Sequence, residues 1–142
     1  MSFRHRAREV GLQILYHYDE TKSSPQEQIA ELEKHFDHFK VPAEVREFAA
    51  ELVAGTVTHL TELDSLLEQQ ASNWRVARMA LIDRSLLRMA AYEMTYMKET
   101  PHSVVIDEAI ELAKQFGTAE TPAFVNGVLD GIRKGAGLPD PA

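Results

Sequence analysis

Leu86-Leu87-Arg88-Met89-Ala90-Ala91-Tyr92-Glu93-Met94 is the stretch on which the fold turns. At about 100° per residue its apolar side chains cover most of a helix's circumference. A helix that is apolar nearly all round belongs at the centre of a bundle. Asp83 stands before it as a cap, and the pattern carries the helix to about Met97. Downstream, Thr100-Pro101 is a boundary. Val104 to Phe116 follows as a helix with Val105, Ile106, Ala109, Leu112 and Ala113 on its apolar face and Gly117 as the residue past its end. Thr121-Pro122 then supplies the cap and first position of a last helix reaching about Lys134. The stretch from Gly135 to Pro141 reads as loosely held.

Upstream, residues 43–70 read as one long helix, with Val45, Phe48, Ala49, Leu52, Leu60, Leu63 and Leu67 on one side. Gly55 inside it marks the close approach of a neighbouring helix. Ser72-Asn73 can cap a short helix carrying Trp74. Ser24, Pro25 and Glu27 have the order of a capping box with proline at the first turn, opening a helix whose buried face is Ile29, Leu32 and Phe36. From Phe3 to Tyr18 apolar residues fall at 3, 7, 10, 14, 15 and 18. That is helical spacing, with Gly11 in the stripe and Leu12 and Tyr16 one turn apart on its flank. No alternating strand pattern and no 20–50-residue repeat is present. The expected fold is all-α, about seven helices with short connections.

The 142 residues suit one domain, and no apolar run approaches the roughly 20 residues a membrane span needs. Cysteine is absent, which removes disulfides, thiolate metal sites and cysteine nucleophiles. The chain is expected to be cytoplasmic. Its net charge of −7 is unevenly spread. Residues 1–16 hold Arg4, Arg6 and Arg8 against Glu9, whereas residues 17–71 hold four basic side chains against twelve acidic ones. Phosphate binding depends on local potential within a Debye length of about 8 Å, so a basic tip on an acidic body is a credible nucleic-acid site. Cations at a helix N-terminus also oppose the helix dipole, so three of them there call for a functional reason.

Motifs for catalysis are missing: there is no Gly-rich phosphate loop, nucleophile elbow or metalloprotease helix. His35 and His38 have ligand-like spacing but no further ligands nearby, and read as solvated. Asp107, Glu108 and Glu111, with Lys114 one turn on, read as a solvated or partner-facing polar face. Gly127, inside the last helix, reads as a packing contact. No metal, cofactor or catalytic residue is expected.

Three segments together resemble the NusB family of transcription antitermination factors. They are Arg4-His5-Arg6-Ala7-Arg8-Glu9 with Leu12-Gln13-Ile14-Leu15-Tyr16; Asp83-Arg84-Ser85-Leu86-Leu87-Arg88-Met89-Ala90-Ala91-Tyr92-Glu93; and Val105 through Gly117 followed by Phe124-Val125-Asn126-Gly127-Val128-Leu129-Asp130. The similarity runs from about Phe3 to Ile132. It implies one domain, 1–135, built of two packed helical subdomains at about 1–72 and 73–135, with a flexible tail at 136–142. It implies a non-catalytic adaptor that pairs with the small-subunit ribosomal protein NusE. The pair would grip single-stranded boxA RNA in nascent ribosomal RNA leaders, with NusA, NusG and RNA polymerase completing the assembly.

Carried over by position, the resemblance implies RNA contacts from Arg4, His5, Arg6, Arg8, Glu120 and Phe124. For NusE it implies contacts from Leu12, Tyr16, Asp83 and Glu93, with Leu12 and Tyr16 as an exposed anchor. His5 replaces a usual arginine and Ala123 an often basic residue, while Pro122 stiffens the preceding turn; together these imply sparser phosphate contacts. Other readings are a protein-interaction or homodimerisation module with lost or weak RNA binding, or a stand-alone relative of the helical domain fused to ribosomal RNA cytosine methyltransferases. The latter would need a catalytic domain that this sequence does not contain.

Overall fold

The computed structural model describes residues 3–71 and 75–135. At its centre α5 (Leu81–Tyr96) is packed by α1 (Phe3–Thr21), α3 (Ala43–Thr58), α4 (Leu60–Gln70), α6 (His102–Phe116) and α7 (Thr121–Gly135), while α2 (Pro25–His38) packs on α3. A 3-10 turn at Val76–Arg78 leads into α5, and there is no strand among the described residues. Leu86, Leu87, Met89, Ala90, Ala91 and Met94 of α5 join Leu52, Leu63, Leu67, Leu112 and Leu129 in one continuous apolar core. Each fully buried leucine contributes about 1.5–3 kcal/mol, so the all-round apolarity of α5 is what draws five helices onto it. Ser72, Asn73, Trp74 and the tail 136–142 lie outside the described residues.

Local chemistry sets the start of α2 as expected. The Glu27 amide donates to Ser24 Oγ at 3.2 Å and the Ser24 amide to Glu27 Oε1 at 3.3 Å, completing the capping box of α2. Gly11 and Gly55 both sit under neighbours: an added Cβ would lie 3.2 Å from Met89 Sδ at the first, and 1.9 Å from Tyr92 Cζ at the second.

Several expectations need correcting. The long helix over 43–70 breaks at His59, whose Nδ1 contacts the Gly55 carbonyl at 2.9 Å. Both halves face the same core, so apolar periodicity runs through the break unaltered. Asp83 lies inside the first turn of α5, which begins after Ala80. There it favours the positive end of the helix dipole and accepts from Thr121 Oγ1 at 2.9 Å. Ile29 is 44% exposed, and only Leu32 and Phe36 of its trio are buried. Gly135 is still helical.

His35 is half-buried rather than solvated, set edge-on to Tyr18 at 5.1 Å and to His17 at 5.3 Å. Burial, then repulsion from His17, holds its imidazole below the ordinary 6.5, with Glu31 opposing. The unfolded chain therefore takes up this proton first as pH falls, so His35's contribution to stability is present above pH 6.5 and lost below it. Urea unfolding at pH 7.5 and 5.5 should show wild type losing more stability on acidification than His35→Phe. Equal losses would mean that His35 is not the group responsible.

Candidate functional site

The basic tip of α1 does not present its cations together. Residues two apart on a helix point about 200° from each other, so Arg4 and Arg6 diverge, while Arg4 and Arg8, one turn apart, share a face. Arg6 is exposed and held by Glu9 at 2.5 Å, and Glu9 in turn accepts from Gln115 of α6 at 3.3 Å. Arg4 lays its guanidinium 4.8 Å over the Phe48 ring. It lines a hollow there with Phe3, Glu44, Glu47, Glu51 and Glu99, so its surroundings are acidic.

Arg8 is not at the surface at all. It is 4% exposed, and its Nε and Nη2 donate to Glu93 Oε1 and Oε2 at 2.8 and 2.5 Å, with Glu93 itself 1% exposed. Glu108 of α6 stands 4.0 Å from Arg8 Nη1 and within 2.5 Å of His5 Nδ1. The expectation that Arg8 touches RNA and Glu93 touches a partner is therefore corrected: each is spent on the other. Together with Glu108 they lock the start of α1 to α5 and α6. Glu108, expected on a solvated or partner-facing face, belongs to this cluster.

Phe124 and Glu120 come together near the start of α5. With Arg78, Met79, Ala80 and Asp83 they line a hollow of about 300 Å³. The loop is set by Thr121, whose Oγ1 accepts from the Thr118 amide at 3.0 Å and donates to Asp83. Asp83, expected on a separate partner-binding face, is thus in the same hollow as Phe124. Arg78 was missed by the sequence reading. It ends a three-residue turn with no periodicity to mark it, and its side chain makes no ion pair with another described residue.

Ala80 also lines the adjoining apolar groove of about 520 Å³, formed with Leu12, Gln13, Tyr16, Leu81, Ile82 and Phe116. Tyr16 is half-buried at its edge. Leu12, expected as an exposed anchor, is 1% exposed and forms only the floor, because its flank of α1 is covered as well as the main stripe. The groove and the hollow make one surface. It runs from Gln13 on α1 to Phe124 on α7 and mixes aromatic faces, an exposed arginine and two carboxylates. Among the described residues no group of three or more side chains could hold a metal ion, and no helix is long and apolar enough to cross a membrane.

Residues 5–134 match the family model described as the NusB family. The chain belongs to the NusB family. It is 42% identical over 133 residues to the transcription antitermination protein NusB of Desulforapulum autotrophicum, covering 94% of this chain and 92% of that one. To the protein of the same name in Elusimicrobium minutum it is 44% identical over 137 residues, covering 94% and 95%. Among solved structures it is similar to NusB of T. maritima, with a TM-score of 0.82, 32% identity, and 92% and 90% coverage. It is also similar to a chain in the crystal structure of the antitermination factors NusB and NusE in complex with dsRNA, with a TM-score of 0.83, 26% identity, and coverage of 95% and 98%. The all-α architecture read from the sequence is the NusB fold.

Proposed function

We propose that this chain is a transcription antitermination factor. It is a non-catalytic, cytoplasmic adaptor that, with ribosomal protein NusE, binds boxA RNA in nascent ribosomal RNA leaders. It thereby helps to assemble the antitermination complex with NusA, NusG and RNA polymerase. The observation that carries this reading is the near end-to-end match to a chain solved in a NusB, NusE and dsRNA complex. Membership of the family and the missing catalytic motifs agree with it.

Two helical subdomains, about 1–72 and 73–135, share the work. The first supplies Arg6, Arg4 and Tyr16, and the second supplies Asp83, Glu120, Phe124 and Arg78. The Phe124 ring offers a face on which an unpaired base stacks, a contact worth about 1–3 kcal/mol. Exposed Arg6 and Arg78 give phosphate contacts, and Arg4 contributes from its stacked position on Phe48. His5, held against Glu108, borders the RNA path. Tyr16 and the floor at Leu12 offer NusE an apolar seat, with Asp83 providing a carboxylate for a basic partner. Arg8 and Glu93 act from beneath by fixing α1.

Anisotropy titrations of labelled boxA RNA, with and without NusE across a salt series, test this. Arg4→Ala/Arg6→Ala should weaken binding and flatten the log–log salt slope by up to about two units, one for each phosphate neutralised. Phe124→Ala should cost about 1–3 kcal/mol with the slope unchanged. Affinity indifferent both to NusE and to these variants would overturn the adaptor reading.

A further inference from the structure

A hollow of about 560 Å³ opens between the start of α1, one side of α3 and the turn after α5. Glu44, Glu47 and Glu51 of α3 and Glu99 of the turn line it, together with Phe3, Arg4 and Phe48. All four glutamates are exposed, and none of their carboxylates makes an ion pair or hydrogen bond with a described residue. Against them stand Arg4 in the lining and Lys98, next to Glu99 in the chain, so four negative charges meet two positive ones. Arg8, 5.3 Å from the Phe48 ring, adds nothing to that balance because Glu93 neutralises it. The excess is negative, which turns RNA away and attracts cations.

The aromatic part of the face favours one kind of cation. Phe3 is 62% exposed, leaving most of a large apolar ring in water, and Phe48 is half-buried. The Arg4 guanidinium lies 4.8 Å over the Phe48 ring, with no carboxylate at ion-pair distance from it. The chain thus already seats one guanidinium on this ring, while the four carboxylates stay without a cation. Arginine both stacks on aromatic rings and forks onto carboxylates, whereas lysine offers a strongly hydrated point charge. The face extends past Glu51, since Gly55 and His59 follow at one-turn intervals and Tyr92 and Tyr96 lie against them. Burial, then the Glu51 carboxylate, holds the Tyr92 phenol above its ordinary 10.0. Tyr96 is 43% exposed with its ring 4.2 Å from His59, and offers a further aromatic surface.

Spacing narrows the class. Glu44, Glu47 and Glu51 recur at about 4.5 and 6 Å along the helix axis. They form no cluster tight enough to hold a metal ion. A row of separate cations suits them instead, because alternate side chains of an extended peptide stand about 6.6 Å apart on one side. We propose that this face docks an arginine-rich, extended segment of a protein partner, its guanidinium groups paired with Glu44, Glu47, Glu51 and Glu99 and stacked on Phe3 and Phe48. None of its lining residues lines the Tyr16 groove or the Phe124 hollow. The docking face stands independently of the antitermination reading and shares only Arg4 with the RNA contacts proposed above.

Anisotropy of a labelled Arg-Gly-Arg-Gly-Arg-Gly-Arg peptide titrated with the full chain tests the face, beside a lysine-for-arginine version of the peptide. Saturable binding is expected, weakening with salt and about threefold tighter for arginine than for lysine. Amide signals should shift around Phe3, Glu47, Phe48, Glu51 and Glu99. Glu47→Gln/Glu51→Gln, both at the surface, should weaken binding of the arginine peptide about fivefold, the worth of two exposed ion pairs. Glu20→Gln/Glu31→Gln removes the same charge from exposed positions on the last turn of α1 and on α2. That change should weaken binding less than about twofold, since screening confines each charge to its surroundings. Equal losses in the two double variants would reduce the effect to the overall charge of the chain and overturn the proposal. So would a lack of saturable binding or equal affinity for the lysine peptide. Single-stranded RNA bound more weakly by Glu47→Gln/Glu51→Gln than by wild type would also overturn it, by assigning the face to RNA.

Discussion

Glu93→Gln is expected to destabilise the fold by about 3–5 kcal/mol, because it leaves the Arg8 guanidinium buried without its counter-charge. Arg8 is 4% exposed and both of its contacts to Glu93 are lost or neutralised by the change, so solvent cannot take over. Glu108, 4.0 Å from Arg8 Nη1, supplies part of the missing charge and holds the loss toward the lower end. At roughly 3–5 °C per kcal/mol for a chain of this size, Tm should fall by roughly 10–15 °C. Arg8→Met should cost a similar amount by stranding Glu93. Arg8→Met/Glu93→Met together should recover most of the loss, since a well-packed apolar pair often matches a buried ion pair. The double-mutant cycle in urea measures the coupling directly. A cost below about 1 kcal/mol for Glu93→Gln would show that the pair is solvated in solution.

That result also bears on binding. If Arg8 acts only by fixing α1, Arg8→Met weakens RNA binding without changing its salt slope, unlike the change at Arg4 and Arg6. A flattened slope would put Arg8 back on a phosphate.

The fold was legible because α5 announces itself: a stretch apolar all round has one place to go, and the capped amphipathic helices around it follow. The break at His59 was not legible, because two helices facing one core keep a single apolar rhythm. Within the candidate site, the burial of particular side chains was misjudged, and these misjudgements share a physical cause. Charged residues were assigned to the surface by type, although Glu93 sits in the helix already read as central. A carboxylate in a fully enclosed helix implies a buried cation, and Arg8, spaced one turn from Arg4 with Ala7 and Gly11 beside it, was the one available. Leu12 was misplaced for the converse reason, since a residue flanking an apolar stripe is exposed only if no second helix covers the flank. Phe124, Glu120 and Asp83 were each singled out, but their meeting in one hollow depends on the Thr121–Asp83 hydrogen bond, a contact across 38 positions that no local pattern encodes.

The glycines make the same point with opposite signs. Both Gly55 and Gly127 interrupt strong helical patterns and both were read as packing contacts; only Gly55 is one. A Cβ at Gly55 would meet Tyr92 Cζ at 1.9 Å, Oη at 2.2 Å and Cε1 at 2.4 Å. Tyr92 cannot simply swing aside, since its ring is stacked on Tyr96 at 5.3 Å and lies 5.7 Å from His59. Gly55→Ala is therefore expected to cost about 1–3 kcal/mol of overpacking strain, a net loss of up to about 2 kcal/mol once the roughly 1 kcal/mol that alanine gains in helix propensity is set against it. Trimming the obstacle should reverse this, so that Gly55→Ala is milder in a Tyr92→Leu background than in wild type. Around Gly127 nothing lies within 4 Å of the added methyl, and the position is exposed on α7. Gly127→Ala should accordingly stabilise the chain by about 0.5–1 kcal/mol through helix propensity alone. Urea midpoints moving in opposite directions for the two substitutions would establish that α3 and α5 touch through Gly55 and that α7 meets no neighbour at Gly127. A stabilising Gly55→Ala would mean that Tyr92 leaves the α3 surface in solution.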